Sequence, residues 1–151
     1  MKGKIKVVAV FLVVTALAVM SRFIFFNKES DVLAKVVFTS ETCVAIQVLE
    51  TDGEANLIDA LQALENTGAL SYESKDSQFG AYILSVNGKS EISGYSWMVY
   101  TSDRTEGVAN TEVEPLVVDG INYYSMLVGV SSISVKAGEY YLLNFEGWSY
   151  P

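Results

Sequence analysis

Read for period, the chain divides near residue 30. Before that point apolar residues run on without pattern. After it, short stretches alternate apolar and polar side chains with the two-residue repeat of strands, interrupted once by a helical repeat. The most informative stretch is 80–100. Tyr82, Leu84 and Val86 alternate with smaller neighbours and predict a strand whose buried face is those three residues. Asn87-Gly88 follows, a pair suited to the two positive φ angles of a type I′ hairpin turn. Beyond it, Tyr95, Trp97 and Val99 make one face of a second strand and Ser96, Met98 and Tyr100 the other. Both faces carry large side chains, which predicts a central strand covered on both sides.

The helical repeat falls at 56–66. Leu57, Ala60, Leu61 and Leu64 stand at i, i+3, i+4 and i+7, a single apolar stripe. Asn56 is a good N-cap, Asp59 is placed to complete a capping box, and Gly68 to close the helix. A helix of about three turns is too short to persist alone in water, so its stripe must lie against the sheet.

The remaining segments read as strands and turns. Residues 32–38 and 42–49 flank a turn at 39–41, and 112–118 and 121–124 flank Asp119-Gly120. Residues 131–135 and 140–145 flank a turn at 136–139; 71–78 is polar and predicts a loop, and 101–110 a long mobile one. One helix among seven or eight short strands predicts an α+β domain, the helix packed on a mostly antiparallel sheet.

The unpatterned N-terminus changes the picture from a domain to a tethered domain. Lys2, Lys4 and Lys6 precede residues 7–20, where Thr15 is the only polar residue, and Phe23-Ile24-Phe25-Phe26 resumes the run after Ser21-Arg22. A basic start and an apolar stretch make a signal peptide or signal-anchor. Residues 7–26 come close to the ~20 needed to cross a bilayer. Ala16-Leu17-Ala18 offers a small-residue cleavage site, but apolar residues continue past it, which favours an uncleaved anchor. The organisation expected is therefore a membrane segment at 1–28 and a domain at 29–151. The lysines hold the N-terminus in the cytoplasm and place the domain outside a single-pass membrane protein, with a secreted protein as the alternative.

Charge narrows the partners. All 18 acids lie after Lys28, where the only basic residues are Lys35, Lys75, Lys89, Arg104 and Lys136; five minus 18 is −13 for that portion. So acidic a body repels phosphate backbones, which excludes nucleic acid. Cys43 has no basic neighbour in sequence and sits in a strand pattern, as a small buried hydrophobe does. The chain contains no histidine, so it has no Ser-His-Asp or Cys-His nucleophile system and no ordinary zinc site; it also lacks a Gly-rich phosphate loop. The reading is of a protein that is not an enzyme and has no resident cofactor. Every Tyr and Trp lies at or beyond Tyr72. Such side chains present flat contact area with a hydrogen-bonding edge, so Tyr95, Trp97, Tyr100, Tyr123 and Tyr124 are the candidates for ligand binding.

Four segments in order carry a family resemblance: Asn56-Leu57-Ile58-Asp59-Ala60-Leu61, then 80–88, then Gly94-Tyr95-Ser96-Trp97-Met98-Val99-Tyr100, then Val135-Lys136-Ala137-Gly138-Glu139-Tyr140-Tyr141. Over residues 36–148 the chain resembles the transcobalamin-like C-terminal domain family (the bacterial DUF4430 group). The resemblance implies a β-grasp-like fold. It also implies an extracytoplasmic ligand-binding domain that captures cobalamin or a similar cofactor for an uptake system, with a transporter subunit as partner. The chain departs from the animal carriers in having no helical partner domain and no histidine to ligate cobalt. The alternative reading, from a different class, is a cell-surface protein-interaction or adhesion module with an acidic exterior.

Overall fold

The computed structural model describes residues 31–107 and 114–147. The predicted membrane segment, the far half of the polar loop after Thr101, Glu112 and Trp148 lie outside these residues. Among the described residues no helix is long and apolar enough to cross a membrane.

The described residues open with a hairpin, β1 (Val32–Thr39) and β2 (Cys43–Thr51), turned at the predicted position. Helix α1 (Leu57–Asn66) follows and buries Leu57, Ala60, Leu61 and Leu64, as its stripe requires. Its start is a complete capping box. The Asn56 carboxamide oxygen accepts from the Ile58 and Asp59 N–H groups, and Asp59 Oδ2 accepts from the Asn56 N–H at 2.9 Å. Its end is a Schellman motif, in which the Gly68 N–H donates to Glu65 O and the Ala69 N–H to Leu64 O, both at 2.9 Å.

Next come β3 (Tyr72–Lys75), β4 (Tyr82–Val86) and a two-residue β5 (Lys89–Ser90), which form a small three-stranded sheet. The large sheet is completed by β6 (Tyr95–Thr101), β7 (Leu116–Val118), β8 (Ile121–Ser125) and β9 (Tyr140–Gly147). Its order is β1-β2-β9-β6-β8-β7, and every strand pairing in both sheets is antiparallel. The α+β class expected from the pattern is the class found.

The large sheet has two covered faces. On one, α1 and the inner face of β4 join Val44, Ile46 and Val48 of β2, Trp97 and Val99 of β6, and Tyr141 and Leu143 of β9 in the main core. On the other, the sheet curls. Phe38 near one edge and Leu116, Val118 and Ile121 near the other gather on Cys43, Ala45, Tyr123 and Leu142 in a second, smaller core. Cys43 is buried there and free, and burial raises its thiol pKa, so it is packing and not a thiolate.

Several expectations need correction. Residues 72–75 are a strand, not a loop. β3 is an edge strand, exposed along most of its length, so no buried face imposes a period on it. The buried face of β4 is not Tyr82, Leu84 and Val86. Ile83 and Ser85 turn inward along with Val86, Tyr82 is exposed and Leu84 half-buried. The segment after β8 is bonded to the residue that leads into β4: the Val130 N–H donates to Ala81 O at 2.7 Å and the Ala81 N–H to Ser131 Oγ at 2.8 Å.

Asn87 and Gly88 take the positive φ of the predicted turn, 49° and 79°, but the strand they return is β5 and not the Trp97 strand. After β5 a second tight turn, bridged between Ile92 and Tyr95, sends the chain into the other sheet. β6 does lie inside the large sheet, between β9 and β8; on one face Trp97, Val99 and Thr101 are buried and Tyr95 is exposed, while Ser96, Met98 and Tyr100 on the other are half-buried. The expected strand at 131–135 is a 3-10 turn, Val130–Ser132, then a short extended piece. That piece bonds the start of α1, Leu57 N–H to Ile133 O at 2.8 Å and Val135 N–H to Ala55 O at 3.0 Å, and does not pair with β9. Asp119-Gly120 is a type I′ turn between β7 and β8 as expected, although β7 begins only at Leu116.

Candidate functional site

Strand register separates the large sheet into two ends. The chain enters at one of them, where the Asp52 N–H donates to Asp31 O and Val32 stands opposite Thr51. At the other end Tyr95 stands opposite Gly147 and the Phe145 N–H reaches Thr42 O, beside the β1–β2 turn.

The far end carries an aromatic shelf. Trp97 and Phe145 are cross-strand partners with ring centroids 5.3 Å apart, and Tyr95 stacks on Phe145 at 5.9 Å and 22°. Gly147 leaves room for this, since a Cβ there would meet the Tyr95 ring at 3.2 Å. Lys89 Nζ lies 4.7 Å from the Phe145 centroid, a cation over the ring face. Trp97 is only 5% exposed, and its indole N–H donates to Lys89 O at 2.8 Å. That bond ties the small sheet to the large one. Tyr95 is 48% exposed and ends the shelf with an open aromatic surface.

Tyr100 belongs to the opposite face. Its hydroxyl donates to Glu146 Oε1 at 2.6 Å, and Asn144 Nδ2–H donates to Glu146 Oε2 at 2.7 Å. Burial first, then the hydrogen bond to the Glu146 carboxylate and its charge, push the phenol well above the usual tyrosine range. Tyr100 is therefore a neutral donor at any physiological pH. The half-buried carboxylate it supports has both oxygens held, which keeps it fixed and not free to move onto a ligand.

Tyr123 is 1% exposed and fills the second core, where burial raises its pKa to about 12. Tyr124 points the other way from the same strand. The Arg104 guanidinium lies 6.0 Å from its ring centroid, and a Cβ on Gly107 would collide with the Tyr124 Cβ. Of the five sequence-derived candidates, the structure brings Tyr95 and Trp97 together and leaves Tyr100, Tyr123 and Tyr124 elsewhere. Trp97 and Tyr123 face inward and offer a ligand no ring surface in this conformation. Phe145 escapes sequence reading because only the β6–β9 register makes it a neighbour of Tyr95, and Lys89 because it reaches the Phe145 ring from β5 of the other sheet.

The entry end has different chemistry. Lys136 Nζ bridges Asp103 Oδ2 at 3.1 Å and Glu106 Oε1 at 2.6 Å, while Ser102 Oγ donates to Glu139 Oε2 at 2.6 Å and accepts from the Tyr140 N–H. Thr105, by its hydroxyl and its N–H, and then Lys136 hold the Asp103 carboxyl down at about 2. The described part of the loop after β6 is thus clasped to the 136–139 turn. Among the described residues no three acidic or cysteine side chains converge as metal ligands would. No family model matches the chain, and no curated protein matches its sequence.

Proposed function

We propose that this chain is a membrane-tethered, outward-facing binding domain that captures a small flat ligand at the Tyr95–Phe145 shelf. The observation that carries the proposal is the open ring of Tyr95, backed by Phe145 and Trp97 at the end of the sheet farthest from where the chain enters. A ring held by stacking from behind binds at little entropic cost, and its exposed face is free to stack. The ligand class follows from the resemblance to the transcobalamin-like domains: cobalamin or a similar cofactor, handed to an uptake system through a transporter subunit. We infer a β-grasp-like fold on the same footing, supported by the packing of α1 against an antiparallel sheet. With no histidine in the chain, capture rests on stacking and edge hydrogen bonds and not on an imidazole bond to cobalt.

Calorimetric titration of the full chain in lipid nanodiscs with cobalamin and cobinamide tests this. Binding is expected for at least one of them, weakened on the order of tenfold or more in Tyr95→Ala, as for a central aromatic contact. No heat at high micromolar ligand removes the ligand class. Binding that Tyr95→Ala leaves unchanged removes the site.

A further inference from the structure

Lys89 differs from the other bases among the described residues. Lys35, Lys75, Arg104 and Lys136 are exposed, and Lys89 alone is half-buried. Lys136 meets two carboxylates, those of Asp103 and Glu106. The described residues hold 16 acids against five bases, yet none of those acids comes within ion-pair distance of the Lys89 ammonium. Glu91, the nearest acid in sequence, is exposed. What the ammonium has instead is the Phe145 ring, with Nζ 4.7 Å from its centroid. The quadrupole of a ring attracts a cation but does not neutralise it, so the charge remains available at the shelf. The lysine is also held in place. Its backbone pairs with Val86 across the β4–β5 turn, and its carbonyl accepts from the Trp97 indole N–H at 2.8 Å. The root of the side chain is thus fixed between the two sheets, and its tip rests on Phe145.

Tyr95 stacks on the same Phe145 ring at 5.9 Å, and its backbone is pinned by the two hydrogen bonds it exchanges with Ile92. The ammonium therefore lies no farther from the Tyr95 ring centre than those two centroid distances laid end to end. That is the span of a ligand a few rings wide, or of one ring with a short arm. An anionic group on such a ligand meets a donor already in position, and a charge-assisted hydrogen bond is roughly twice as strong as a neutral one. The acid excess of the remaining surface repels the same group. We propose that Lys89 is the specificity-determining residue of the shelf, selecting flat ligands that carry one anionic group, a phosphate or a carboxylate, beside the ring system. This role rests on the reading of the Tyr95–Phe145 shelf as a binding site and adds to it the charge of what binds there.

Two matched pairs of probes isolate the anionic group: cobinamide against cobinamide phosphate, and riboflavin against flavin mononucleotide. The members of each pair share a ring system and differ by a phosphate. Calorimetric titration of the full chain in nanodiscs of zwitterionic lipid reads the difference. The phosphorylated member of at least one pair is expected to bind on the order of tenfold more tightly than its unphosphorylated partner. Tyr95→Ala weakens both members. Lys89→Gln abolishes the preference or inverts it, since the acid excess is then unopposed, and Lys89→Arg keeps it. Lys75→Gln deletes the same charge from an exposed position on β3 of the same sheet and leaves the preference intact. The bond from Trp97 to residue 89 is made to the backbone and survives each substitution, and circular dichroism establishes that the variants remain folded. Three outcomes overturn the role of Lys89 and leave the shelf standing: Tyr95-dependent binding with no preference for phosphate, a preference unchanged in Lys89→Gln, or one that Lys75→Gln removes equally. Binding of neither pair, or binding that ignores Tyr95, removes the shelf and the role of Lys89 with it.

Discussion

In the large sheet, adjacent residues along β2 and β9 are buried on both faces: Cys43, Val44, Ala45 and Ile46 in one strand, Tyr141, Leu142 and Leu143 in the other. In the small sheet, β4 buries only its inner side and leaves Tyr82 and Leu84 outward. All three strands are rich in apolar residues, and both sheets use tight turns of the same kind. The difference is in length and number of strands. Six strands with one bulged edge can curl until residues near both edges meet over the second face. Three strands of two to five residues cannot cover themselves. An apolar pattern states that a face is to be covered; the size of the sheet decides whether the chain does so alone.

That contrast is sharpest where the covered second face is emptied. Leu142→Ala removes a fully buried side chain from the smaller core, and a loss of about 2–5 kcal/mol in urea unfolding is expected. If the loss is negligible, the curled face is not a core. Gly129→Ala attacks the contact between the segment after β8 and the start of β4, where a Cβ has no space against Gly80 and Ala81. A cost of about 1–3 kcal/mol is expected in the same measurement, as for other overpacked sites.

Alkali probes both faces of the large sheet at once. Tyr123 and Tyr141 lie on opposite sides of it, and burial raises each from the ordinary 10.0 to about 12. The folded state therefore holds these protons more tightly than the unfolded one. Their contribution to stability is whole below pH 10 and is lost as the pH rises through about 12. Thermal melts between pH 9 and 12 should fall steadily, and Tyr123→Phe should flatten the fall; a flat wild-type profile would contradict the burial. Asn56→Ala is expected to cost about 1 kcal/mol by removing the capping box of the helix that covers the first face. Smallest of all, Tyr82→Ser should change the stability of the fold by no more than about 0.5 kcal/mol. A larger loss would place Tyr82 in a core after all.

Local chemistry was legible from the chain alone. The α1 stripe and its capping box, the positive-φ turns at Asn87-Gly88 and Asp119-Gly120 and the β1–β2 hairpin each depend on neighbours within a few residues, and each stands where the pattern puts it. Partnership across the chain was not. Whether Asn87-Gly88 returns the Trp97 strand or a two-residue stub depends on the later turn at Ile92 and Tyr95. Residues 133–135 alternate like a strand whether they pair with β9 or with the start of α1, since burying Ile133 and Val135 satisfies either arrangement. β3 gave no signal because an exposed edge strand has no side to bury.

The candidate site divides in the same way. Aromatic content marked Tyr95, Trp97, Tyr100, Tyr123 and Tyr124 equally, because a side chain's capacity to stack is a property of the residue. Its exposure is a property of the packing around it. The β6–β9 register set Tyr95 over Gly147 and beside Phe145, the curl of the sheet closed over Tyr123, and the small sheet closed over Trp97. Propensity and capping act over one or two turns of chain, so the sequence by itself determined the elements and their caps. Coverage of a face requires atoms brought from dozens of residues away, and only the tertiary structure decided which aromatic surfaces remained open.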